Sequence, residues 1–467
     1  MNSNGIITNR QIRSNNISER ASLLLEKDEE FLCKNLAVCQ GKPWSREQSD
    51  GYINLGTAES SLCENILIEK INRSDLLKLE PSMLRYYKFC GIDSCRKSVA
   101  KFVERYFESS IKINPENLVI LSGTTSIFDV LSHIIADSGE FFMCTTPYYS
   151  RISDDLMERS FVRTIRVPLE LKKGINGEYT ARINVQWIED SYNKAISEGK
   201  SIKAIVIVNP DNPLGIVHPK DELLSIVQFA SEKSLYLIFD EIYGLSVYRD
   251  CKEKFYSILS LLDTLPQESN IIWLWGLSKD FCSAGFRTSV FYTQNDNILK
   301  AAKPLSFFQC VPSLIQHMTA KLLSDYEWLD KVYFPRNNAA LKRNCEIVEK
   351  WLHKLEIPYF RPNAGMFVFV NFSEFLQSRT EYSEMKLFEK FMEEKIYVIP
   401  GRILYAEKPG WYRIAFAQDS GSVEEGLRRI AAVLISQKLK IHLRTKESID
   451  EILEVKTETD KDERKNA

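Results

Sequence analysis

Four short stretches of this 467-residue chain are apolar or aromatic at every position: residues 118–121 (Leu-Val-Ile-Leu), 204–208 (Ala-Ile-Val-Ile-Val), 236–239 (Tyr-Leu-Ile-Phe) and 271–275 (Ile-Ile-Trp-Leu-Trp). A strand with one wet face alternates apolar and polar residues, so runs without alternation need cover on both faces. Residues 125–135 and 221–231, between these runs, carry helical patterns. Strand and helix therefore alternate, and parallel neighbours need a crossover over one face of the sheet. The fold class predicted is α/β, with a mainly parallel sheet flanked by helices.

From about residue 341 the pattern changes: a helix over 341–352 leads to short strands at 366–370, 397–399 and 412–416, compatible with a smaller α+β domain. A chain this long exceeds what one core usually organises. The expected division is an N-terminal arm over 1–50 that packs on another domain or subunit, then a large domain over 51–340 that also supplies part of the small one. A small domain over 341–440 and a charged, disordered tail over 441–467, with helical potential at 449–453, complete it.

Apolar residues at 44% and charged residues at 27% describe an ordinary soluble globular chain, and a net charge of −2 gives no electrostatic ground for a nucleic-acid or acidic-membrane partner. Ten cysteines lack a Cys-x-x-Cys pair and five histidines lack ligand spacing, which argues against a metal site and against a disulfide framework. No stretch is apolar enough to span a bilayer, and the first residues lack the core of a secretory signal. A cytoplasmic location with reduced thiols is expected.

Open parallel sheets bind ligands beyond the carboxyl ends of their strands. Lys279 follows the 271–275 run. A lysine with a buried stem loses hydration and becomes an amine able to form an imine with an aldehyde. Asp240 ends the 236–239 run, and Asn212 lies in Asn-Pro-Leu-Gly just past residue 208. Gly123-Thr124-Thr125 separates a strand from a helix, where backbone N–H groups and the positive helix end favour a phosphate. Arg287 supplies a planar fork for the same anion, and Arg413, among apolar residues, needs an anionic partner. Taken singly, each has a commoner role: a helix cap for Asp240, a turn former for Asn212 and Gly123, a structural salt bridge for Arg413.

In chain order, Gly123-Thr124-Thr125, Pro147-Tyr148-Tyr149, Asn209-Pro210-Asp211-Asn212-Pro213-Leu214-Gly215, Phe239-Asp240-Glu241-Ile242-Tyr243, Ser278-Lys279, Arg287 and Gly410-Trp411-Tyr412-Arg413-Ile414-Ala415-Phe416 form a series. It resembles the class I/II aminotransferase family, the fold type I pyridoxal-phosphate enzymes, over roughly residues 50 to 435. Asn54-Leu55-Gly56-Thr57-Ala58-Glu59 and Ser278-Lys279-Asp280-Phe281 resemble its 1-aminocyclopropane-1-carboxylate synthase-like branch. The resemblance implies pyridoxal 5'-phosphate as cofactor and Lys279, Asp240 and Tyr243 as the catalytic set. Lys279 would tether the cofactor, Asp240 would meet its ring nitrogen, Tyr243 and Asn212 its phenolic oxygen, and Tyr149 its ring face. Thr124, Thr125, Ser278 and Arg287 would surround its phosphate, with Tyr86 reaching the phosphate of a partner subunit in a homodimer. Arg413 would hold the carboxylate of an amino-acid substrate, and Glu59 would lie near a cationic sulfonium.

Three positions depart from the synthase pattern. Gly276 replaces a serine three residues before the lysine, which removes one hydroxyl from the phosphate cup. Phe89 replaces a tyrosine two residues before Gly91, while Tyr86 stands five before it, where general aminotransferases carry theirs; if neither fills the role, synthase activity is not expected. Ser283-Ala284 replaces Leu-Pro before Gly285. The implied activity is synthase-like or a transamination in amino acid metabolism. A carbon-sulfur lyase and a cofactor-binding protein with decayed catalysis are the alternatives.

Overall fold

The computed structural model describes residues 17–25, 31–73, 75–174, 177–249, 254–266 and 270–439; the expected tail and its 449–453 helix lie outside them. A seven-stranded sheet runs in the order Leu118–Leu121, Ser289–Thr293, Asn270–Gly276, Tyr236–Asp240, Ile202–Val208, Phe141–Thr146, Arg163–Pro168. Every pairing is parallel except the two made by Ser289–Thr293. The four apolar runs are all strands of this sheet, buried along nearly their whole length. On one face Val119, Leu121, Leu274 and Phe291 pack under the helix Thr124–Ile135; on the other, Leu118, Ile120, Trp273 and Trp275 join the main core. The sheet is thus covered on both sides, as the unbroken apolar runs require.

A second sheet of six strands contains Ile399–Pro400, Trp411–Ala415, Phe367–Asn371 and Tyr359–Phe360, extended by the hairpin of Glu178–Arg182 and Glu170–Lys173. That hairpin directly follows the edge strand Arg163–Pro168 of the first sheet, so the chain itself joins the two sheets. The long helix Phe334–Lys354 begins seven residues before the expected start, with Pro335 in its first turn, where a missing N–H costs nothing. Asn344 on this helix donates to the carbonyls of Phe416 and Gln418 at 2.8 and 2.6 Å, fixing it to the end of the Trp411–Ala415 strand.

The single strand expected at 397–399 is two. Ile396–Tyr397 pairs in parallel with Ile53–Asn54, whereas Ile399–Pro400 pairs with Trp411–Ala415. Sequence continuity conceals the break, because each half answers to a different partner. Its consequence is local and important: Ile53–Asn54 and Ile396–Tyr397 form a separate two-stranded sheet, the Leu55 carbonyl accepts from the Ala415 amide of the second sheet at 2.7 Å, and Gly56 has no room for a Cβ against the Tyr397 ring.

Candidate active site

Strands ending at Leu121, Val208, Asp240 and Gly276 open on a cavity of about 450 Å³. The second sheet closes it with Arg413 and Ile399, Tyr397 adds its ring from the adjoining strand Ile396–Tyr397, and the N-terminal helix Phe31–Gly41 covers it with Leu32, Cys33 and Leu36. Thr124, Thr125, Tyr149, Asn212, Asp240, Tyr243, Lys279 and Arg413 all line this one space.

Lys279 stands on the short helix Leu277–Asp280 that follows the Asn270–Gly276 strand, and its Nζ donates to the Ala58 carbonyl at 2.6 Å. Burial pulls its pKa from 10.5 to about 8; Glu59 and Asp240 resist, while Arg413 and Arg287 reinforce the fall. The neighbouring Asp280 anchors this turn. It accepts from Trp275 Nε1 at 2.8 Å, Ser246 Oγ at 2.6 Å and the Leu245 amide at 3.1 Å, tying the lysine turn to the segment after Tyr243.

Asp240 is buried, and burial raises its pKa from 3.8 to about 7; the Ile242 amide, which donates to Oδ1 at 3.1 Å, and the charge of Lys279 oppose the rise. A carboxyl group this dry is poised to ionise when a cation arrives beside it. Tyr243 packs edge-on to Phe367 with ring centroids 5.3 Å apart, and burial holds its phenol protonated well above the usual range.

Arg413, 1% exposed, donates from Nη1 to Asn212 Oδ1 at 2.8 Å and from Nη2 to the Gly56 carbonyl at 2.7 Å. Its Nε is buried without a hydrogen-bond partner, and burial lowers its pKa. Both partners are neutral, so the charge has no carboxylate beside it among the described residues. A buried guanidinium in that condition is a receptor for an anion.

At the other end, Gly123 caps the helix Thr124–Ile135 at φ +87°, and the Arg287 guanidinium occupies the space a Cβ would need. Arg287 is itself held at φ +49°, a left-handed conformation that costs free energy for a residue with a side chain. It is exposed and lies beside Gly123 rather than on the cavity wall. Ser278 is buried but does not face the cavity, and Glu59 is exposed outside it, reaching Lys279 only through its charge. Tyr86 is 94% exposed on the surface of the single chain.

Among the described residues, no group of three His, Cys, Asp or Glu is placed to hold a metal ion, and no helix is long and apolar enough to cross a membrane. Sequence reasoning missed Leu32, Leu36, Ala58, Arg151, Ile152, Tyr397 and Ile399 as cavity residues. Only the helix Phe31–Gly41 carried a signal, its apolar residues at 32, 36 and 39 marking one face.

The family described as Aminotransferase class I and II matches residues 50–430. The 1-aminocyclopropane-1-carboxylate synthase-like protein 1 of Mus musculus is 34% identical over 388 residues, covering 83% of this chain and 77% of the relative. The Homo sapiens protein named probable inactive 1-aminocyclopropane-1-carboxylate synthase-like protein 2 is 33% identical over 388 residues, 83% of this chain and 68% of the relative. The solved structure of an archaeal alanine:glyoxylate aminotransferase shares the fold, with a TM-score of 0.74 at 21% identity over 90% of this chain and 98% of that one. With a family match over most of its length and relatives of this similarity, the chain belongs to the class I and II aminotransferases, a pyridoxal-phosphate-dependent family.

Proposed function

We propose that the protein is a pyridoxal-phosphate enzyme acting on α-amino acids, a transaminase for substrates with uncharged side chains. The observation that carries this is the convergence of Lys279, Asp240, Tyr243, Asn212 and Arg413 on one cavity, with the lysine pulled to about 8 and the buried arginine lacking a carboxylate. The donor set suits the cofactor. Asp240 would hold its ring nitrogen, Asn212 and Tyr243 its phenolic oxygen, Tyr149 its ring face, and Thr124, Thr125 and Arg287 its phosphate at the helix start. When bound, pyridoxal phosphate supplies an electrophilic aldehyde carbon and a ring that takes up the electron pair left at a substrate Cα.

The chain's own groups do the rest. Arg413 grips the substrate carboxylate and fixes its orientation. Lys279, with a pKa near 8, is neutral in a useful fraction at physiological pH and moves a proton at Cα as general base. Asp240 in its anionic form keeps the partner nitrogen protonated, and Tyr243, held in its phenol form, donates a hydrogen bond. Leu32 and Leu36 from the N-terminal helix exclude water from that side.

Charge around the cavity supports the substrate class. Arg151 also lines it, but Asp155 and Glu158 occupy its guanidinium at 2.6 to 3.0 Å. Asp240 is the sole carboxylate on the wall among the described residues, and Leu32, Leu36, Ile152 and Ile399 are apolar. A second substrate carboxylate meets no open cation, and a sulfonium meets no carboxylate on the wall besides Asp240, which the ring nitrogen would take; this puts transamination ahead of cyclisation of S-adenosylmethionine. Decayed catalysis is the second reading, because one relative is named probable inactive. Against it stand the retained Lys279 and its lowered pKa.

A homodimer belongs to the proposal. Tyr86, Leu84, Phe307 and Phe308 are 94%, 78%, 59% and 76% exposed, and Phe89 meets Phe307 edge to face with centroids 4.4 Å apart. An apolar patch of this kind calls for a partner surface. A cytoplasmic setting is proposed too, since no disulfide forms among the described residues.

The test mixes purified protein and cofactor with amino-acid and keto-acid pairs, and separately with S-adenosylmethionine, following products by mass. New amino acid from leucine or methionine with a keto acid is the expected result. Borohydride trapping that succeeds equally in wild type and Lys279→Ala would reject the lysine assignment.

A further inference from the structure

We infer that the Ser289 hydroxyl is a phosphate ligand of this site, standing in for the side chain that Gly276 lacks. The inference rests on the cofactor reading above and adds a residue that neither motif nor cavity wall contains. Ser289 opens the antiparallel strand and pairs directly with Gly276 on one side and Leu121 on the other. Residues directly opposite one another in antiparallel strands present their side chains to the same face. Leu121 belongs to the core beneath the helix Thr124–Ile135, so Ser289 faces that side as well. It does so at the end of the sheet where Gly123 begins the helix.

A Cβ built on Gly276 would meet Ser289 Oγ and Cβ and the Thr288 carbonyl, each closer than the 3.0 Å that real Cβ atoms respect. Ser289 therefore fills the volume that a side chain at 276 would use. The glycine is a steric consequence of the serine opposite and of the Thr288 carbonyl, and the hydroxyl arrives from the neighbouring strand. Ser289 is 1% exposed and its Oγ has no hydrogen-bond partner. A buried hydroxyl left unpaired is unfavourable, and here it lies two residues from Arg287, whose guanidinium covers Gly123. Helix start, guanidinium and orphan hydroxyl converge on a small oxyanion with several acceptors, which is what a phosphate monoester presents.

The test measures affinity of the cofactor-free protein for pyridoxal phosphate and for pyridoxal by fluorescence titration, and thermal protection by inorganic phosphate. Ser289→Ala should weaken pyridoxal phosphate about ten-fold and diminish protection by phosphate, while leaving pyridoxal unchanged. Wild-type affinity in Ser289→Ala, or an equal loss for pyridoxal, would overturn the inference while the cofactor reading stands. Failure of the wild-type protein to bind pyridoxal phosphate would instead bring down the cofactor reading, and this inference with it.

Discussion

Lys279 is the residue whose chemistry should be measurable before any substrate is known. Replacement by methionine keeps the length and apolarity of the stem and deletes the amine. A fall in pKa from 10.5 to about 8 corresponds to roughly 3 kcal/mol of unfavourable burial of the charged form. The sign follows from the two protonation states. Above pH 10.5 the amine is neutral whether the chain is folded or not, and no penalty exists. Below pH 8 it is charged in both, and the folded state carries the full penalty. Methionine also leaves the Ala58 carbonyl without its donor, a loss of about 1 kcal/mol. The cofactor-free Lys279→Met protein should therefore be about 2 kcal/mol more stable than wild type at pH 7, with the advantage largely gone at pH 10. Urea midpoints at both pH values read the difference directly. A variant less stable than wild type at pH 7, or a gain that ignores pH, would refute the claim that this amine is held dry.

Four further outcomes are expected. Arg413→Ala should raise KM for an amino acid by tens to hundreds of fold, at about 1.5–3 kcal/mol for a charged hydrogen bond, while cofactor affinity by titration stays nearly constant. Asp240→Asn should lower kcat by roughly 10²-fold or more, since an amide cannot sustain a proton on the partner nitrogen; stopped-flow turnover checks it. His218 is buried between Asp211 and Glu222 at 3.6 Å each, and although burial opposes it, the two carboxylates raise its pKa from 6.5 to about 9. Its contribution is fully present below pH 6.5 and lost as pH rises through 9, so His218→Leu should cost roughly 3–5 kcal/mol at pH 7 in a urea titration. Sedimentation should give twice the 54.0 kDa chain mass, and charge introduced by Phe307→Glu should shift it towards the monomer.

The parts of the fold that were legible in sequence are those whose burial leaves no choice of residue. Strands Leu118–Leu121, Tyr236–Asp240 and Asn270–Gly276 are covered on both faces, so their runs are continuous. Arg163–Pro168 is an edge strand with a mostly half-exposed or exposed pattern, and its Arg-Thr-Ile-Arg sequence carries no such run. The hairpin Glu170–Lys173 with Glu178–Arg182 belongs to a sheet whose other members lie some 180 residues later, a pairing that no local pattern encodes. The site divides the same way. Lys279, Asp240 and Asn212 sit at strand ends and announce themselves by position, whereas Leu36, Tyr397 and Ser289 owe their place to packing between distant segments.

That division bears on whether catalysis persists. Lys279, Asp240 and Arg413 are each buried with a charge state opposed by burial, and each is less favourable for folding than an apolar residue of similar shape. Structural ion pairs also perturb acidity, but there a charge faces opposite charges, as His218 faces the carboxylates of Asp211 and Glu222. Arg413 instead meets two neutral acceptors and keeps Nε unpartnered, and Asp240 accepts one backbone hydrogen bond. Groups left incomplete around a single cavity point to completion by a ligand with an anionic end and a cationic ring. A scaffold that had lost its ligand would gain stability from almost any apolar replacement at these three positions, and the gain measured for Lys279→Met gives the size of that opposing pressure.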